Sequence, residues 1–203
     1  MTHIIITFKT FRPAAMYIEK SFDWGKTWKI YRYFAHDCAK EFPGVSVGNY
    51  ADFLLYFHFH LYFFSGVPKS LSEVVCQQRY SMMAPSTKGE VIYRVLPPNI
   101  KFNSPGFNPY SKEVQDLLKT TNLRVTFTRL HTLGDEKLQG QQNLQDANAI
   151  NIREKYYFSI YDMVVRGSCS CYGHAESCIP EKQEHINITG MVHGKCNCVH
   201  NTE

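Results

Sequence analysis

Five of the seven cysteines lie between residues 169 and 198, in a stretch with almost no apolar run. A segment of that composition cannot build a hydrophobic core, so covalent or metal cross-links must hold whatever fold it has. The pattern is Cys169-Ser-Cys171, then Cys178, then Cys196-Asn-Cys198. In an extended C-x-C both thiols point to the same side of the chain, which makes a bond between the two awkward and directs each to a more distant partner. Zinc is the rival reading, because His174, His193 and His200 are interspersed among the thiols. Structural zinc favours C-x2-4-C knuckles that wrap the ion. Two C-x-C pairs fit that geometry poorly, so disulfides are preferred and no metal is expected. Asn187-Ile-Thr189 is an N-glycosylation sequon in the same region, and together with dense cysteine it favours the secretory route.

The preceding part of the chain reads differently. Candidate strands occupy residues 4–11, 15–20, 28–35 and 90–96, separated by turns such as Phe22-Asp-Trp-Gly25. In Trp28-Lys-Ile-Tyr-Arg-Tyr-Phe the alternation places Trp28, Ile30 and Tyr33 on the inward face. Between 111 and 122 the period changes: Val114, Leu117 and Leu118 follow Ser111, a candidate N-cap, and predict a short amphipathic helix. Strands return at 123–131 and 155–166, around a polar, aperiodic loop at 134–151. Several short strands with one helix predict a mainly β protein, a jelly-roll-like β-sandwich. The composition shifts at Arg166-Gly167, which divides the chain into a packed domain, residues 1–167, and a small stapled module, residues 168–203.

Residues 53–64 carry no formal charge and seven Phe or Tyr side chains. At twelve residues the run is too short for a membrane-spanning helix, which needs about 20 apolar residues. His58 and His60 would share one face of a strand, where a metal or heme site is conceivable, yet no third ligand accompanies them, so two histidines within an aromatic run is the better reading. The net charge of +4 is small and scattered, which argues against a nucleic-acid stripe or a polybasic membrane patch. His36, Asp37, Glu90, His131, Asp135 and Asp162 are dispersed and lie in no recognised catalytic motif, so no enzyme activity and no cofactor are expected. Met1 is followed by strand-like alternation instead of a secretory leader, as in a chain that begins inside a larger secreted one.

Arg166-Gly-Ser-Cys-Ser-Cys-Tyr-Gly-His-Ala and Gly190-Met-Val-His-Gly-Lys-Cys-Asn-Cys-Val-His-Asn-Thr resemble the first EGF-like module of laminin β chains. Thr7-Phe-Lys-Thr-Phe-Arg-Pro-Ala-Ala-Met, Pro85-Ser-Thr-Lys-Gly-Glu-Val, Leu130-His-Thr-Leu-Gly-Asp and Arg153-Glu-Lys-Tyr-Tyr resemble the later part of the laminin N-terminal domain. Netrins share this architecture, but the wording of Tyr161-Asp-Met-Val-Val-Arg-Gly is closer to laminin β. The resemblance implies an incomplete sandwich followed by an incomplete EGF-like module, with bridges Cys169–Cys178 and Cys171–Cys196. Cys198 is left unpaired because its partner would lie further along, and Cys38 and Cys76 match a pair within the sandwich. About seventeen residues, 47–64, have no counterpart in the family pattern. The implied role is an extracellular, basement-membrane glycoprotein that supports laminin polymerisation and cell adhesion. Its implied partners are laminin α and γ chains, cell-surface receptors and other matrix proteins.

Overall fold

The computed structural model describes residues 1–48, 71–96, 108–135, 155–167, 169, 171, 174–180 and 194–198. The apolar run at 53–64, most of the unmatched stretch 47–64, the polar loop beyond Asp135 and the sequon at Asn187 lie outside those residues. Three antiparallel strands form one sheet: β1 (His3–Phe8) lies between β5 (Glu90–Arg94) and β7 (Ile160–Arg166). A second sheet has the order β4 (Cys76–Gln77), β3 (Lys29–Ala35), β2 (Ala15–Ser21) and β6 (Asn122–Arg129). All its pairings are antiparallel except β3 with β4. A one-turn helix α1 (Cys38–Glu41) follows β3, and α2 (Lys112–Leu118) precedes β6. The last two strands, β8 (Ala175–Pro180) and β9 (Gly194–Cys198), pair only with each other. The chain is thus mainly β, a sandwich followed by a small disulfide-rich module.

The sandwich is held by one apolar layer. Ile4, Ile6 and Phe8 alternate along β1, and Val91 and Tyr93 face the same way on β5. Opposite them stand Met16 and Ile18 of β2 with Tyr31 and Phe34 of β3. These side chains are essentially inaccessible to solvent, and each fully buried Ile or Phe contributes about 1.5–3 kcal/mol. The inward face of β3 differs from the alternation read in the sequence. A bulge makes Ile18 oppose Arg32 while the next residue, Glu19, opposes Ile30, so Tyr31 is the extra residue. The added residue lets Tyr31 and Arg32 both face the core, and shifts Ile30 and Tyr33 to the outside. Tyr33 consequently pairs with Tyr17 on the solvent face. The buried Arg32 guanidinium lies 5.5 Å from the centroid of Tyr93, a cation–π contact within the layer.

Local chemistry fixes the connections. Ser111 caps α2 by accepting from the Val114 N–H, and the helix ends where Lys20 crosses it. The Lys20 ammonium donates to the carbonyls of Asp116, Leu117 and Lys119. These are orphan acceptors of a helix C-terminus, where a cation is favoured. Tyr31 donates to the Leu117 carbonyl at 2.6 Å, so the core strand and the helix end are tied together. On the other side, Arg12 donates to the carbonyls of Glu90, Met82 and Ala84 and so fastens the 82–90 turn to the sandwich. A Cβ on Gly89 would come within 2.9 Å of the Arg12 side chain, which explains a glycine there. His131 is buried and donates from Nε2 to the Ser81 carbonyl at 2.7 Å. Burial, with the nearby His36, Arg12 and Arg129 adding to it, pushes its pKa below the ordinary histidine value.

Phe34→Ala is expected to lower stability by about 3–5 kcal/mol, the usual cost of truncating a fully buried aromatic, as measured by denaturant unfolding; a loss under 1 kcal/mol would contradict the packing described. His131 supplies a pH dependence. Its folded pKa lies below its unfolded value, so the unfolded chain binds the extra proton first, and stability falls as pH drops below about 6.5. Melting temperatures recorded between pH 7 and pH 5 should decline more steeply for the native chain than for His131→Gln.

Candidate functional site

The four-stranded sheet and the tail carry the features from which a function has to be built. At one corner, Asp37 caps α1 by accepting from the Lys40 N–H, placing Cys38 at the first helical position. Cys38 is fully buried and bonded to Cys76, with the Cα atoms 5.9 Å apart. Cys76 pairs in parallel with Tyr33, and its N–H and C=O are taken by Ser46 and Gly48. The bridge therefore secures the short edge strand β4, which has only two residues of its own. Closing a loop of this separation stabilises the fold by roughly 4 kcal/mol in the chain-entropy model.

From this corner a polar–aromatic strip runs across the outer face of the sheet. Phe42 packs on Tyr33 with centroids 4.4 Å apart, and Tyr33 on Tyr17 at 5.8 Å. Burial, with Tyr17 and Glu19 adding to it, pushes the Tyr33 hydroxyl pKa above its ordinary value. Glu19 then accepts two hydrogen bonds from Arg124, at 2.6 and 3.0 Å, and the Arg124 guanidinium lies 4.1 Å from the Trp28 ring. A bidentate pair next to a stacked ring holds a surface rigid with little loss of side-chain entropy on contact. The strip offers shape, aromatic area and charge, the materials of a recognition surface.

Beyond the strip, the β2–β3 connection is tightly built. Asp23 accepts from the Ser21 hydroxyl at 2.7 Å and from the backbone and hydroxyl of Thr27 at 2.9 and 2.6 Å. Those hydrogen bonds, from Thr27 first, hold its carboxyl pKa down to about 2. Gly25, at φ +85°, donates to the Ser21 hydroxyl, and Trp28 Nε1 donates back to the Gly25 carbonyl. Sequence reasoning saw a turn here but not the network, because a turn signal gives the backbone reversal and not which of the side chains within residues 21–28 bond one another.

The tail behaves as its composition demands. None of its described side chains is buried. Cys171 is bonded to Cys196 with the Cα atoms 5.7 Å apart, and Cys169 is also disulfide-bonded. The backbone of Cys178 opposes Cys196 across β8 and β9, while the Cys178 side chain lies outside the description. Cys198 is a free thiol of intermediate exposure. The sulfurs of Cys169, Cys171 and Cys196 lie within 4.8 Å of one another, a spacing a metal could use. Cys171 and Cys196 share a covalent bond, however, and a disulfide sulfur is not the thiolate that zinc requires.

The dispersed polar residues have structural occupations. His36 and His131 face each other edge to face at 5.7 Å. Asp135 is bound by Lys155 at 2.6 Å and by the Tyr156 hydroxyl at 2.9 Å. Glu90 and Asp162 flank Thr7 across β1. His58 and His60 lie outside the described residues. Among the described residues, no helix is long and apolar enough to cross a membrane.

Comparison with known proteins agrees with the architecture. Residues 1–167 match the laminin N-terminal (domain VI) family. The whole chain is 50% identical over 202 residues to human laminin subunit beta-1, and 51% identical over 205 residues to the Drosophila melanogaster laminin subunit beta-1. In both cases it spans about 10% of the relative's length. Mouse netrin-4 is 39% identical over 209 residues, 27% of that protein. The chain, whose two-sheet core and bridged edge strand lie within the matched residues, therefore belongs to the laminin N-terminal (domain VI) family.

Proposed function

We propose that this chain is the short-arm N-terminal region of a laminin β subunit, a non-catalytic extracellular-matrix building block. It associates through its sandwich with the N-terminal domains of laminin α and γ chains. The observation that carries this reading is similarity at about 50% identity running through both the sandwich and the tail, in β subunits of human and fly alike. The chemistry of the molecule supports it. Disulfides persist in oxidising compartments, and both Cys38–Cys76 and Cys171–Cys196 are formed. The rigid surface strip from Phe42 to Trp28 is suited to binding another protein. Support of cell adhesion through receptors and other matrix proteins belongs to the same reading.

The cysteine pairs implied for the tail, Cys169 with Cys178 and Cys171 with Cys196, staple that small module internally, in place of the core it lacks. Asn187 carries an N-glycan. A netrin-like guidance module is the second reading, resting on the 39% identity to netrin-4; the higher identity to β subunits favours the first.

The chain secreted from cultured cells, mixed with recombinant α- and γ-chain N-terminal fragments, should co-elute with both in size-exclusion chromatography coupled to light scattering. Separate elution of all three would overturn the assembly reading. On denaturing gels the secreted chain should shift on glycosidase treatment, and Asn187→Gln should abolish that shift.

A further inference from the structure

Trp24 stands out from every other large apolar side chain described. It is 81% exposed, the highest value among them. Its backbone sits at φ 61°, a left-handed conformation that bulky residues rarely adopt. Strain of this kind persists only where the surroundings hold it. Here they do. The Trp24 N–H donates to Thr121 Oγ1 at 3.0 Å, and that hydroxyl donates in turn to the Ser21 carbonyl at 3.1 Å. Asp23, Ser21 and Thr27 lock the flanking residues. The chain thus maintains a strained backbone, and its result is to hold an indole out in water.

The surroundings of Trp24 have one chemical character. Phe22, 41% exposed, lies two residues away with the Lys29 ammonium 5.4 Å from its ring. Lys26 and Lys119 are exposed on the flanking segments, and Asp23 has its carboxylate turned into the loop network. An exposed tryptophan on a rigid loop has the features of a binding hot spot: large apolar area, few rotatable bonds and little ordering entropy. A rim of lysines selects an oppositely charged partner and disfavours a second copy of the same basic loop.

We infer that the 22–29 loop is a docking finger that inserts Trp24 into an apolar cleft edged by carboxylates on another protein. Resting on the assembly reading above, that protein is the N-terminal domain of a partner laminin chain. The finger meets the partner with its indole in the cleft, while Lys26, Lys29 and Lys119 face the acidic rim. Because the loop is pre-formed, mutation at its tip acts on binding and leaves the fold intact.

Trp24→Gly separates the two. Glycine accepts φ 61° without strain, so the variant should melt at or above the temperature of the native chain. Its affinity for recombinant α- and γ-chain N-terminal fragments, measured by biolayer interferometry, should fall at least 10-fold for one of them. Lys26→Glu with Lys29→Glu should weaken the same interaction and reduce its salt dependence. In a Trp28→Phe background, Trp24 is the only tryptophan, and its emission should shift to the blue on binding. Native-like affinity of Trp24→Gly for both fragments would overturn the finger and leave the assembly reading standing. Failure of the native chain to bind either fragment would overturn both. Loss of heparin retention with fragment binding unchanged would assign the loop to an acidic polysaccharide and so overturn the proposal as well.

Discussion

The apolar layer between the two sheets is the interaction on which the rest of the molecule depends. Ile4, Ile6 and Phe8 on one side meet Met16, Ile18 and Phe34 on the other, and the surface features rest on the strands this layer immobilises. The layer admits charge at Arg32, against Tyr93, and at its edge at Lys20, over Tyr31. The bulge that turns Arg32 inward also turns Tyr33 outward, so a single inserted residue sets both the composition of the core and the aromatic strip on the face. Lys20 and Arg12 then extend the layer's hold to α2 and to the 82–90 turn through backbone carbonyls.

The two parts of the chain solve the stability problem differently. The sandwich has a core, and its Cys38–Cys76 bridge adds to an edge already paired with β3. Among its described residues, the tail has the β8–β9 ladder and its cross-links, and no buried side chain. A bridge spanning the separation of Cys171 and Cys196 supplies about 3.5 kcal/mol in the chain-entropy model, which is large beside what a two-stranded ribbon can provide alone. A sandwich can carry a recognition loop because its frame is rigid.

Much of this was legible in the residues. The helix at α2 announced itself through Ser111 and the spacing of Val114, Leu117 and Leu118, and its bounds were narrower than the period suggested because Lys119 already has an extended backbone. The strands β2 and β6 were found within a residue or two. The segment 155–166 forms a strand only from Ile160; before it, the Tyr156 hydroxyl donates to Asp135 and Phe158 stacks on Phe127. What periodicity could not supply was the β3 bulge, because an extra residue in a strand is defined by its partner strand and not by its own sequence. The Trp24 loop was hidden for the same reason. Asp23 and Thr27 are neighbours in sequence, but the contact that holds the indole outward comes from Thr121, on the far side of the chain.

The central claim is that a core holds the sandwich while covalent bonds hold the tail. Amide hydrogen exchange with and without a mild reductant tests it directly. On reduction, amides in β8 and β9 should lose their protection, while those of β1, β2 and β3 keep theirs, because the Cys38–Cys76 bridge is buried and the inter-sheet layer is independent of it. Simultaneous loss of protection in both parts, or a tail that stays protected when reduced, would contradict the account.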